Sequence, residues 1–259
     1  MRCFVGFFGL TRSLRYTADA IHTGIYQPLR DAGFSLLRAG HFNLPATISN
    51  PRSGERDIVP DRAESTLLEL ELCWIEAQNA AAIARHYAIA RCYPDALGDG
   101  YHSLANLCHQ LASLRRVWSL VHLLGAEDSD LVLLLRPDLL YLDTLDPVSQ
   151  LAPLMNGRLD LIVPGWQSWD GLNDRFAFCT GRAARAYANR IDLFALACST
   201  LGCMHPERFL DFAVRYHGLR AGETEMRAVR LRANGTIAAN DQGMIQMPVL
   251  TAGWVETAG

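Results

Sequence analysis

The chain of 259 residues contains no lysine; all 24 of its basic residues are arginine. No Schiff-base lysine and no Walker lysine can therefore operate in it. A GC-rich coding sequence is the simplest source of that bias. The usual nucleotide loops are missing as well. There is no GxxxxGK[ST], and "GFFGLTRS" (6–13) does not satisfy GxGxxG, which argues against a P-loop NTPase and a dehydrogenase. Neither GxSxG nor HExxH occurs. The apolar patch in "MRCFVGFFGLTRSLRY" is too short to span a bilayer and lacks a small-residue cleavage site, so it reads as a core strand. The 7 cysteines are odd in number and follow no repeated spacing, which favours reduced thiols and a cytoplasmic protein over a disulfide framework. Cys198, Cys203 and His205 form at most half of a metal site, and buried small side chains explain them better. A formal net charge of −3 gives no reason to expect nucleic acid or an anionic membrane as partner.

What is present is a half-hydrophobic chain with enough apolar residues for a sizeable core. Residues 2–8 ("RCFVGFF") read as a buried strand. Leu14, Ala18, Ile21, Ile25 and Leu29 then recur at helical spacing up to Gly33, and 34–41 reads as the next strand, a βαβ opening. Residues 42–62 mix Pro, Asn, Ser, Gly and charges without a period and predict a long loop. A helix is predicted over 63–91. Another, capped by Ser103, carries Leu104, Leu107, Leu111, Leu114, Trp118 and Val121 on one face and ends at Gly125. Strands are predicted at 131–135, 158–166, 175–181 and 226–235, and helices at 182–198 and 205–218, the latter with Pro206 in its first turn. With no internal repeat and no linker, the pattern predicts an α/β fold: a single domain over 1–259, with a Rossmann-like, mixed, mostly parallel sheet flanked by helices.

Three segments carry candidate chemistry. In "LVLLLRPDLLYLD" (131–143) a buried strand runs into Arg136, Pro137 and Asp138. Ligands of α/β sheets sit beyond the carboxyl ends of strands, so Asp138 is placed to hold a divalent cation (Mg or Mn) that in turn holds a diphosphate, and Arg136 to grip phosphate oxygens. A turn-stabilising ion pair between the two is the plain alternative, and Asp143 is a candidate second acid. In "PGWQSWDGLNDRFAFCTG" (164–181), Trp166 and Trp169 suit stacking on sugars, Asn173 and Arg175 suit hydroxyl groups, and Asp174 suits a general base. The plain alternative is a surface loop whose tryptophans pack on the core. In "FFGLTRSL" (7–14), Gly9, Thr11 and Arg12 lie between the first strand and helix, where nucleotides bind; an ordinary helix cap by Thr11 or Ser13 is the alternative.

In this order, "FFGLTRSL", "SLANLCHQLASLRRVWSLV", "RPDLLY" and "GLNDRFAF" resemble GT-A-type glycosyltransferase-like proteins of bacteria and viruses, over Arg2 to about Tyr187. The resemblance implies a GT-A-like nucleotide-binding domain, a nucleotide-diphospho-sugar donor and a glycan or other acceptor. It also implies that Asn106 and Gln110 lie near the donor; the residues of the 164–181 segment themselves put Asp174 and Arg175 forward as catalytic and Trp166 and Asn173 for the sugar or acceptor. GT-A enzymes carry Asp-x-Asp after the central strand; here the triplet is Arg136-Pro137-Asp138, which puts metal use in question. Two rivals stand: a non-catalytic nucleotide-sugar- or glycan-binding protein of the same fold, and a nucleotidyltransferase or phosphohydrolase.

Overall fold

The structure is a computed structural model; it describes residues 1–50 and 54–246, and the backbone of 254–256. β1 (Arg2–Gly9) is buried along nearly its whole length. Its side chains alternate between two apolar layers, Cys3, Val5 and Phe7 into one and Phe4 and Phe8 into the other, as a central strand covered on both faces must. α1 (Leu14–Ile21), a π-helical turn (His22–Tyr26) and α2 (Gln27–Asp31) follow as one continuous helical segment. Leu14, Ala18, Ile21, Ile25 and Leu29 are all buried, as their spacing predicts, and Gly33 (φ +83°) ends the segment. β2 (Ser35–Leu44) returns parallel to β1 and completes the βαβ unit.

The segment predicted as a loop at 42–62 is more ordered than that. β2 runs on to Leu44, and β3 (Ile48–Asn50) pairs antiparallel with β4 (Glu55–Ile58); residues 51–53 lie outside the described residues. The helix predicted over 63–91 is also corrected. A 3-10 turn (Arg62–Leu68) ends at left-handed Glu69, β5 (Leu72–Ala77) pairs with β2, and only α3 (Ala80–Ala90) is α-helical. The strand is Leu72–Ala77 (LCWIEA), which takes the edge beside β2, while residues 69–71 before it lie outside any strand.

α4 (His102–Leu123) buries Leu104, Leu107, Leu111, Leu114, Trp118 and Val121 as expected. Its cap is Asp99 rather than Ser103: the carboxylate accepts from the Ser103 backbone N–H at 3.2 Å and from its hydroxyl at 2.5 Å. β6 (Leu131–Leu135) and β7 (Leu139–Tyr141) flank Arg136-Pro137-Asp138. Short helices α5 (Pro147–Gln150) and α6 (Ala152–Met155) precede β8 (Leu161–Pro164), and β9 (Phe176–Thr180) precedes α7 (Gly181–Ala188). The single helix predicted over 182–198 is broken by a 3-10 turn (Arg190–Leu193) before α8 (Phe194–Leu201). α9 (Pro206–Tyr216) starts at its proline, and β10 (Ala221–Thr224), absent from the predicted elements, follows. The strand predicted over 226–235 shrinks to β11 (Ala228–Arg230), which pairs with β7 outside the main sheet; β12 (Trp254–Glu256) completes the described strands.

The main sheet has eight strands in the order β12-β10-β8-β9-β6-β1-β2-β5. β9 and β12 run antiparallel to their neighbours and the other pairings are parallel, so the expected α/β class with a mixed, mostly parallel sheet holds. α1, the π turn, α2 and α6 cover one face; α4, α7 and α9 cover the other. α3 and α8 pack a further cluster against the N-terminal half of α4. The order reverses at β1: the chain builds β2 and β5 on one side of it and β6 on the other. That reversal opens a crevice at the carboxyl ends of β1 and β6.

Gly181 joins β9 to α7 where the chain touches the 127–130 turn; its N–H donates to the Asp130 carbonyl at 2.8 Å, and an added Cβ would run into the Glu127 carbonyl. Gly181→Ala should lower stability by about 1–3 kcal/mol, the usual cost of overpacking. Urea unfolding measures it; an unchanged midpoint would mean that the 127–130 turn yields at no cost.

Candidate functional site

A cleft of about 740 Å³ lies over the carboxyl ends of β1 and β6. Gly9, Leu10 and Arg12 form its floor with Arg136 and Asp138. Asn106 and Gln110 of α4 form one wall, Asp174, Arg175, His205 and Glu207 another, and Arg230 and Arg232 the rim. The turn after β6 is pinned to the first helix: the Thr17 hydroxyl donates to the Pro137 carbonyl at 2.7 Å. The N-terminus of α1 is capped neither by Thr11 nor by Ser13. The Glu64 carboxylate, 50 residues away in sequence, accepts from the Leu14 N–H at 2.9 Å, and the Ser13 hydroxyl donates to the Leu231 carbonyl.

The floor is an ion-pair lattice. Arg136 grips Asp138 with Nε on Oδ1 (3.0 Å) and Nη2 on Oδ2 (2.9 Å), and Arg12 Nη2 donates to the same Oδ2 at 2.9 Å. Arg12 also reaches Glu55 of β4 at 3.4 Å. Gln110 bridges the floor to the wall: its Oε1 accepts from Arg136 Nη1 at 3.0 Å and its Nε2 donates to Asp174 Oδ2 at 2.9 Å. The fully buried Arg190 lies 3.5 Å from that same Asp174 oxygen. Asp174 Oδ1 accepts no bond from any described residue, and the carboxylate lines the cleft. Arg175 turns away from Asp174 to Asp241 (3.1 Å), which is clamped by Arg230 at 2.9 and 3.0 Å.

Nine of the predicted residues line this cleft: Gly9, Arg12, Asn106, Gln110, Arg136, Asp138, Trp169, Asp174 and Arg175. Three do not. Thr11 is buried, and its Oγ1 has no hydrogen-bond partner among the described residues. Trp166 is buried with its indole N–H on the Met226 carbonyl (3.0 Å) and the Arg175 guanidinium stacked over its ring at 4.8 Å, so it supports an arginine and offers no face to a sugar. Asn173 is buried and braces the loop: its Nδ2 donates to the Trp166 carbonyl (2.5 Å) and its Oδ1 accepts from the Arg175 N–H (3.0 Å). Trp169, more than half exposed at the mouth of the cleft, is the aromatic placed to meet a ligand. Its backbone is left-handed, as are those of Gln167 and Asp170 (φ +45°, +52° and +60°), a strained stretch of the kind that clusters at functional sites. Asp143 leaves the site and clamps Arg227 (2.6 and 2.9 Å).

Sequence reasoning missed Arg190, Arg230, Arg232, Glu55 and Asp241. Arg230 and Arg232 had a signal, since residues two apart on an extended segment share a face. Arg190 sat inside a presumed helix, and Glu55 and Asp241 carried no local mark.

The donor set does not suit a divalent cation. Such an ion needs several oxygen ligands with lone pairs to spare. Asp138 brings one carboxylate whose two oxygens are both taken by guanidiniums. Burial pushes its pKa up, but Arg136 and Arg12 more than offset that and hold it well below the ordinary carboxylate range. No group of three or more His, Cys, Asp and Glu suited to a metal is found among the described residues, the Cys198, Cys203 and His205 neighbourhood included. Nor is any described helix long and apolar enough to cross a membrane.

The Gly9 loop is held by a buried histidine. The Ser113 hydroxyl of α4 accepts from the Gly9 N–H (2.9 Å) and gives its one proton to the His41 carbonyl (2.7 Å). His41 Nδ1, 3.0 Å from that hydroxyl, must therefore be the donor, which assigns the Nδ1–H tautomer. Burial, then the nearby Arg116 cation, lowers the His41 pKa to about 4, although Glu76 lies 3.3 Å from Nε2.

No protein-family model matches the sequence, and no curated protein matches it. Solved structures similar to it include mouse xyloside xylosyltransferase 1 in its apo form, with 13% identity over 84% of this chain and 83% of that one and a TM-score of 0.39. An active-site mutant of LgtC has 12% identity over 83% and 70% of the two chains, with a TM-score of 0.41. The galactosyltransferase LgtC in complex with donor and acceptor sugar analogues has 11% identity over 83% and 70%, with a TM-score of 0.38.

The electrostatics of the site has two measurable consequences. Asp138→Asn leaves two guanidiniums without their shared acid, so it should cost about 3 kcal/mol of stability as well as function; an equal urea midpoint for mutant and wild type would contradict the buried pair. For His41 the folded pKa is depressed below the unfolded value of 6.5, so its contribution is complete above pH 6.5 and lost as pH falls toward 4. Stability should drop by up to about 3 kcal/mol across that window in the wild type, and less in His41→Gln. Parallel pH profiles for the two proteins would contradict a neutral, buried His41.

Proposed function

We propose that the chain is a glycosyltransferase that moves a sugar from a nucleotide-diphospho-sugar donor to a hydroxyl of a glycan or other acceptor. The observation that carries this reading is the geometry of the cleft. It lies at the point where strand order reverses, its floor is arginine-rich, and one carboxylate oxygen, Asp174 Oδ1, is left unpaired on its wall. The size of the cleft suits a ligand larger than a free monosaccharide. The motif resemblance supports the same reading.

In this reading the nucleotide lies along Gly9, Leu10 and Arg12, with Asn106 on the α4 wall. Its diphosphate meets Arg12 and Arg136. Attack of the acceptor oxygen on the anomeric carbon breaks the bond to the diphosphate, whose oxygen takes the electron pair; nearby guanidiniums stabilise that charge. Asp174 Oδ1 takes the hydrogen bond or the proton of a sugar hydroxyl, and Trp169 at the mouth gives that sugar a face to stack on. Gln110 fixes the relation between the two halves, because one amide binds both Arg136 and Asp174. All seven cysteines are free thiols, in keeping with a reducing compartment, and we place the protein in the cytoplasm.

Asp174→Asn should lower kcat roughly 10²-fold or more if the carboxylate takes the acceptor proton, with donor KM little changed. A fall in donor affinity together with rate assigns it to the donor sugar instead. Steady-state kinetics with both substrates varied separates the two, and a mutant equal to wild type in every parameter removes Asp174 from the site. Intact donor binding with no transfer and no slow donor hydrolysis would make the chain a nucleotide-sugar- or glycan-binding protein.

A further inference from the structure

The lattice beneath the cleft is not balanced. Its cations are Arg12, Arg136, Arg175, Arg190, Arg230 and Arg232; its anions are Glu55, Asp138, Asp174 and Asp241. Six positive charges face these four negative ones, and Glu207 on the wall of the cleft is a fifth acid, so a surplus of one positive charge remains. Glu207 lies 3.1 Å from His205 Nδ1, away from the guanidiniums.

The surplus is also visible atom by atom. Arg12 Nε, Arg175 Nη1 and Arg232 Nε have no hydrogen-bond partner among the described residues, and all three arginines line the cleft. Arg232 is the most loosely tied, with Glu55 3.8 Å away. The cations repel one another: Arg175 is lowered to about 10, first by burial and then by Arg230, and Arg232 is lowered by burial and then by Arg12 and Arg230. Gathering this many guanidiniums in one partly buried site is unfavourable unless an anion joins them. Arginine is suited to that anion, since its planar fork binds phosphate oxygens two at a time.

The geometry points to a metal-independent site, in which Arg12, Arg136, Arg230 and Arg232 together supply the positive charge that binds the donor diphosphate and stabilises it as it leaves. This rests on the glycosyltransferase reading for the identity of the anion. It follows from the same feature that makes the site unsuited to a cation: the one acid placed at the strand end for a metal, Asp138, is consumed by Arg12 and Arg136, and position 136 itself holds a guanidinium. The departing diphosphate gains one negative charge as the anomeric C–O bond breaks and the acceptor loses its proton, and the surplus guanidinium charge is already in place to receive it.

Calorimetric titration of the wild-type protein with UDP, GDP and inorganic pyrophosphate tests this, in EDTA and again with manganese. Pyrophosphate and one nucleoside diphosphate should bind in EDTA, with affinity changed less than about threefold by manganese. Arg232→Gln, the least structurally engaged of the four, should weaken both ligands about tenfold or more, as loss of a charge-assisted contact does. Binding that appears only with manganese would overturn the arginine site and leave the glycosyltransferase reading standing. Wild-type affinity in Arg232→Gln would likewise overturn it. Absence of binding by all three ligands under both conditions would overturn both readings. The comparison of wild type with and without EDTA decides the matter even if the variant does not fold.

Discussion

The contact on which the site depends is the shared grip of Arg12 and Arg136 on Asp138. It ties the loop after β1 to the turn after β6, two places 126 residues apart in sequence, at the level where the strand order reverses. Each of those loops is set by a rigid neighbour. Gly9 is held by Ser113 and His41, and Pro137 by Thr17. A buried carboxylate between two guanidiniums tolerates little displacement, because moving any one of the three strands a charge in a poorly solvated place. The floor of the cleft is therefore pre-organised before any ligand arrives.

The same contact answers why a buried strand should run into an arginine and an aspartate. The strand ends at Leu135, the proline turns the chain, and Arg136 and Asp138 close a fork-to-fork pair across that turn. The plain reading of an ion pair and the reading of a ligand site are not exclusive here. The pair shapes the turn, and the turn lies in the floor of the cleft. The pairing also commits both oxygens of Asp138 to guanidinium hydrogen bonds. Gln110 then carries order sideways to Asp174, so that floor and wall are joined by one amide.

Much of the scaffold was legible. The apolar runs of β1 and β6 marked strands buried on both faces, and the 3.6-residue rhythm of Leu14 to Leu29 and of Leu104 to Val121 marked helices with a buried apolar side. The errors came where local preference and sheet pairing disagreed. Residues 72–77 fall within the predicted helix, yet form β5 along the edge of β2. Asn173 and Trp166 have the chemistry of a sugar site but spend it elsewhere, Asn173 on the Trp166 carbonyl and the Arg175 N–H and Trp166 on the Met226 carbonyl and the Arg175 guanidinium, which only the folded loop reveals.

The sequence by itself determined the α/β class, the placing of the Arg12 and Arg136–Asp138 segments at strand ends, and the restriction of all positive charge to arginine. These are properties of pattern and composition, read from neighbours within a few residues. Only the tertiary structure decided which acid each arginine meets: Arg175 takes Asp241 rather than adjacent Asp174, Arg190 takes Asp174, and Glu55 and Glu64 reach Arg12 and the start of α1 from a distant segment. The reason is physical. Hydrogen-bonding periodicity is a local property of the backbone, whereas Coulomb attraction and the penalty for a buried unpaired charge act through space, and so select partners only after the sheet has brought distant loops together.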